Sequence, residues 1–132
     1  MKDTANTNRD DHPRLPELAN SMLPLPFDLS KEIEKLHTKE SWTRETGRSS
    51  ETLVKYKNFR VVLIAMKANT HISEHRAQRP ISIQAVQGRI CIHVGGQKIE
   101  LGAGGLLTLD GGLDHGVQSL EESAFLLTLA TE

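Results

Sequence analysis

"NTHISEHRAQRPISIQAVQG", residues 69–88, is the stretch whose reading decides the fold. Its second half, Ile81 to Val86, places apolar residues at alternate positions, the period of a half-buried strand. Its first half is read as extended too. In "HISEHRA" the side chains of His71, Ser73, His75 and Ala77 then point to one side, and those of Ile72, Glu74 and Arg76 to the other. In a straight strand His71 and His75 stand about 13 Å apart, too far to share a metal ion without a bend. An i,i+2 pair chelates better from a strand, and here its second member is Ala77.

Outward from this stretch the period of two persists. "TLVKY", "FRVVLIAM", "RICIHV", "KIEL", "LLTL" and "SAFLLTLA" are short runs rich in β-branched and apolar residues. "KN" between Tyr56 and Phe59 reads as a tight turn, and Gly95-Gly96 between alternating runs as a two-residue hairpin. "GAGG" and "DGG" separate the later strands. Seven or more strands without an intervening helix predict an antiparallel sandwich or barrel over residues 52–132, with a homodimer expected to cover exposed sheet edges.

The first 51 residues differ. Four of the five prolines, Pro13, Pro16, Pro24 and Pro26, fall in residues 1–26, which read as a flexible arm. Leu23, Leu25 and Phe27 are apolar enough to lie against the domain. Residues 27–51 form a helix and linker packing on the barrel: in "DLSKEIEKLHTKE", Asp28 or Ser30 caps, Ile33 and Leu36 make a narrow apolar stripe, and His37 favours the helix end.

The formal net charge is -1, so no global electrostatic case exists for nucleic acid or acidic lipid as partner. The single cysteine, Cys91, forms no internal disulfide and, between Ile90 and Ile92, reads as a small buried hydrophobe. No run approaches 18 apolar residues and "MKDTANTNRDDHPR" lacks the apolar core of a signal peptide, so the expectation is a cytoplasmic protein.

Candidate chemistry rests on histidines. In "LDGGLDHGVQS", His115 follows a glycine turn and shares a side with Val117 and Ser119. Two strands each offering an inward imidazole make a weak site for a first-row metal, which usually takes a third protein ligand; His71, Gln84 and His93 are the candidates to join His75 and His115. His93 shares a face with Cys91, and whether that face looks inward is open; its blander reading is a satisfied imidazole near a hairpin. "GAGG" lacks the lysine and following helix of a phosphate loop, and Asp110 and Asp114 suit turn geometry. Trp42 reads either as part of a surface cluster with Arg44 and Arg48 or as a cover for an open barrel edge.

Residues 52–131 resemble the cupins, small β-barrel proteins with two signatures. The first runs glycine, five residues, histidine, one residue, histidine, three or four residues, glutamate, six residues, glycine. Asn69 stands at its opening glycine, His75 matches the first histidine, Ala77 replaces the second, Ile81 replaces the glutamate, and Gly88 matches the closing glycine. In the second, Gly104, Gly112 and His115 match, while Asp110 replaces a proline and Ser119 an asparagine. The resemblance implies an all-β jelly-roll barrel with a short N-terminal helix. Cupins commonly hold zinc, iron, nickel or manganese on four such ligands for dioxygenase, isomerase and other reactions, and some relatives only bind ligands. Two ligand positions here are apolar, which implies a barrel that binds a small molecule, or a metal weakly, in a lumen lined by His75, His115, Gln84 and His93, with a sensor or accessory role. The alternative is a metal-dependent dioxygenase or isomerase built on a rearranged His71, His75 and His115 site, with Gln84 or His93 positioning substrate.

Overall fold

A computed structural model describes residues 24–131. Two short helices, α1 (Leu29–Leu36) and α2 (Glu40–Thr43), precede nine strands. These are β1 (Arg48–Lys55), β2 (Phe59–Met66), β3 (His71–Arg76), β4 (Ile81–Gln87), β5 (Arg89–Val94), β6 (Gln97–Gly102), β7 (Leu106–Leu109), β8 (Asp114–Ser119) and β9 (Ser123–Ala130). They form a five-stranded sheet ordered β1-β2-β9-β4-β7 and a four-stranded sheet ordered β3-β8-β5-β6, antiparallel throughout. From β2 to β9 consecutive strands alternate between the sheets except at the β5–β6 hairpin, which is the expected jelly roll. The expected arm lies within residues 1–26, mostly outside the described residues, though Leu25 and Phe27 pack on the domain.

The strand patterns become physical in the cores. Between the sheets, Ile81, Ile83 and Ala85 of β4, Ile90, Ile92 and Val94 of β5, and Met66, Val117 and Phe125 form a buried apolar cluster. The five-stranded sheet also buries its outer face. Leu53, Leu63, Ala65 and Ala124 pack there beneath Ile33, Leu36 and Trp42. A sheet covered on both faces reads as a nearly continuous apolar run, which is why "FRVVLIAM" shows little alternation.

Helix α1 starts where expected, with Asp28 Oδ1 accepting from the Lys31 N–H, and His37 is its C-terminal cap. The additional helix α2 carries Trp42 into this outer core, where its indole stacks on His37 with ring centroids 4.1 Å apart and Lys67 lies over its face. Trp42 therefore belongs neither to a surface cluster with Arg44 and Arg48 nor to a cover over an open barrel edge, but to the core on the outer face of the five-stranded sheet. Strand β1 starts at Arg48, four residues before the apolar run, because Arg48 to Glu51 pair with Leu63 to Met66. Gly95 and Gly96, at φ 57° and 77°, close the β5–β6 hairpin as a two-residue turn with both centres left-handed.

Where α1 meets β1, burial raises the Glu51 carboxyl above its ordinary value and the Glu32 charge adds to this, with Lys35 and Lys39 opposing. A carboxyl raised by folding contributes stability that is fully present below the ordinary carboxylate range and is lost as pH rises through the folded value. Glu51→Gln is thus expected to raise the melting temperature at pH 7 and to flatten its fall between pH 4 and 7. Thermal melts across that range check it, and an unchanged slope would count against it.

Candidate functional site at one end of the barrel

Strands β3 and β8 set the site. Ile72 opposes Val117, whose side chain belongs to the inner core, and three residues later His75 opposes His115. Two residues of β3, Ser73 and Glu74, thus face the single Gly116 of β8, and the strand bulges there. The extra residue puts both Ile72 and His75 on the inner face. It leaves His71, paired with Gln118, on the outer one.

This corrects the parity of a straight strand, in which His71 and His75 share a side. His71 is exposed, and its carbonyl accepts from Arg48 Nη1 at 3.1 Å. Two other candidates are also turned away. Gln84 is exposed between the inward Ile83 and Ala85. His93 lies between the inward Ile92 and Val94, opposite Gly116 and Lys98 on the outer face. Cys91 shares that outer face yet is buried, as expected of it, between strands β6 and β8.

His75 and His115 are brought together. Their rings are 4.4 Å apart between centroids and tilted by 57°. His115 is 3% exposed, and His75 sits at the rim. Each ring Nδ1 lies 3.2 Å from the carbonyl oxygen two residues earlier, Ser73 O for His75 and Leu113 O for His115. A carbonyl only accepts, so both Nδ1 atoms carry the hydrogen, and the neutral form of each ring has its lone pair on Nε2. Ala77, which stands where a second histidine is expected by resemblance, packs against the inner core, and so does Ile81.

Among the described residues, no group of three or more His, Cys, Asp or Glu side chains is placed to hold a metal ion. Two imidazole nitrogens with an apolar remainder do not fit a resident dication, which takes three or four protein ligands. The pair is instead a hydrogen-bond acceptor platform in an apolar setting. No described helix is long and apolar enough to cross a membrane.

Arg60 was not foreseen as a site residue. On β2 it opposes Leu129, which opposes Ile81, which opposes Leu109. These three belong to the inner core, so Arg60 stands where an apolar inner row gives way to Lys55 at the rim. That row lies at the same end as His75 and His115, because short loops join β3 to β4 and β7 to β8 there. The only sequence signal is an arginine in a run that is otherwise apolar from Phe59 to Met66.

No protein-family model and no curated protein matches the sequence. Solved structures do. A cupin superfamily protein from Desulfitobacterium hafniense superposes with TM-score 0.62 at 18% identity, over 64% of this chain and 78% of that one. A protein containing a cupin-2 domain from Shewanella frigidimarina gives 0.64 at 14% identity, over 80% and 94%. Salicylate 1,2-dioxygenase from Pseudoaminobacter salicylatoxidans, solved as adducts with gentisate, gives 0.72 at 11% identity, over 79% of this chain and 32% of that larger one. At these identities the similarity establishes the fold.

Proposed function

We propose that this chain, which has the cupin fold, is a small-molecule-binding barrel with a sensor or accessory role, its ligand held at the mouth by His75 and His115. The observation that carries this is the pair itself: two adjacent imidazoles whose Nδ1 hydrogens are committed to backbone carbonyls, leaving the Nε2 of each neutral ring to accept. Such a pair recognises a ligand that donates hydrogen bonds, and a divalent ion only as a weak, solvent-completed guest. A metal enzyme on three histidines needs His71 at the mouth, and the bulge in β3 turns it to the other face.

Elemental analysis of protein purified without a metal-affinity tag tests the reading. Well under one equivalent of zinc, iron, nickel or manganese is expected, unchanged by His75→Ala. One equivalent of metal per chain, abolished by His75→Ala, would replace this reading with a metal centre.

A further inference from the structure

We infer that the mouth is built for a hydroxylated organic acid: Arg60 receives its carboxylate, and the His75–His115 pair receives the hydrogen of its hydroxyl group. The inference rests on the ligand-binding reading above and names the class of ligand.

Arg60 is the first half of the case. Its neighbour Val61 packs in the outer core, which fixes Arg60 on the inner face with Leu129 and Ile81. Its Nε is buried with no hydrogen-bond partner. A guanidinium stays charged at any physiological pH, and a buried donor of that charge without an acceptor is destabilising. Leucine or valine would continue the alternation of β2 without leaving that Nε unpaired.

The second half is the absence of a counter-charge among the described inner residues at this end. Asp114 is turned outward, paired with Arg76 at 2.9 Å. Asp110 follows the inward Leu109 and accepts from its neighbour, the Gly111 N–H, at 2.8 Å. Lys55, opposite Arg60 on β1, adds a like charge at the rim. The unpaired Arg60 Nε calls for an acceptor with negative charge, and a carboxylate matches the guanidinium fork in two hydrogen bonds. The imidazole Nε2 lone pairs, by contrast, disfavour a second anionic group and accept from a hydroxyl. Between them Ile81, Leu109 and Leu129 offer an apolar wall. Packed sheets stand about 10 Å apart, which sets the span of the ligand between Arg60 on one sheet and the histidines on the other.

Thermal melts of the full chain, stripped of metal by EDTA and dialysed, test this with three probes. Mandelate carries a carboxylate, a hydroxyl and an apolar body; phenylacetate lacks the hydroxyl; benzyl alcohol lacks the carboxylate. At concentrations well above half-saturation, mandelate is expected to raise the melting temperature by about 3 °C over equal sodium chloride, phenylacetate by less, and benzyl alcohol by nothing measurable. Arg60→Leu is expected to melt at the same or a higher temperature without ligand and to lose the response to both acids. His75→Phe should lose only the increment of mandelate over phenylacetate. Acids that shift the melt no more than sodium chloride, or a response that survives Arg60→Leu, overturn the inference. A response only to benzyl alcohol overturns it too while leaving a neutral-ligand barrel intact. A response only after zinc is added would instead overturn the metal-free reading of the mouth.

Discussion

Alanine at position 88 is expected to lower stability by about 3–4 kcal/mol, a large share of what holds a small domain folded. Gly88 joins β4 to β5 with φ at +74°, a conformation that costs an L-residue about 1–2 kcal/mol. The added Cβ would also stand 2.2 Å from Glu122 O and 2.9 Å from Ser123 Cα, both backbone atoms, and 2.4 Å from Ser123 Oγ. Backbone cannot rotate away as a side chain does, and overpacking of this kind adds about 1–3 kcal/mol. Gly96→Ala is the matched control. Its φ is +77°, but a Cβ there meets nothing within 4 Å, so only the conformational part is expected. Urea denaturation of both variants separates the two contributions. Equal midpoints would show that the β4–β5 junction yields.

Ser119→Ala is expected to cost about 2 kcal/mol, concentrated in one turn. Ser119 is fully buried at the end of β8, and its Oγ lies 2.5 Å from Lys67 O, 3.1 Å from the Thr70 N–H and 3.2 Å from Thr70 Oγ1. The hydroxyl donates to Lys67 O and accepts from the Thr70 amide, pinning residues 67–70 between β2 and β3. Asn69 sits in this turn at φ 65°, donating its N–H to Ser119 O at 3.0 Å. Alanine leaves the Thr70 amide with a 3.4 Å approach to Lys67 O in place of the hydroxyl. Hydrogen exchange should therefore quicken at Thr70 well beyond the global loss of stability. Exchange at Thr70 that merely follows global unfolding would mean that the turn is held by its other bonds.

Much of the barrel was legible because its recognisable positions do mechanical work. Gly88 is demanded by a close approach, Gly112 by φ +89°, and Ser119 by the turn it anchors, so spacing survives although two expected ligands are now Ala77 and Ile81. His75 and His115 were legible for the same reason, as register partners at one end of the barrel. The placements that failed did so at points where alternation is locally ambiguous. A bulge adds one residue and reverses parity, and nothing in "HISEH" marks it, so His71 was expected on the wrong face. In "RICIHV" both faces carry residues that a core accepts, and only the packing shows that Ile90, Ile92 and Val94 won the interior over Cys91 and His93. Gln84 alternates correctly with Ile83 and Ala85. Its place among the candidate ligands followed from its chemistry and not from its own pattern, which turns it outward. Arg60 was hidden by helices that bury the outer face of its sheet, since a strand apolar on both sides gives no clue about which side an arginine takes.

The order of the strands has a consequence for solubility. Among the described residues, each sheet ends in two strands whose outer backbone groups have no ladder partner: β1 and β7 in one, β3 and β6 in the other. Charged residues interrupt three of them: Arg48, Glu51 and Lys55 on β1, Glu74 and Arg76 on β3, Lys98 and Glu100 on β6. Such charges discourage a passing chain from adding itself to the edge. Strand β7, "LLTL", has none, and Leu106 at its start is 59% exposed. What protects it is length: four residues between two glycine-bearing turns offer a stray strand too few hydrogen bonds to hold on. Shortness is thus a working property of β7, and an insertion that lengthened it would turn the quietest edge of the barrel into its most adhesive one.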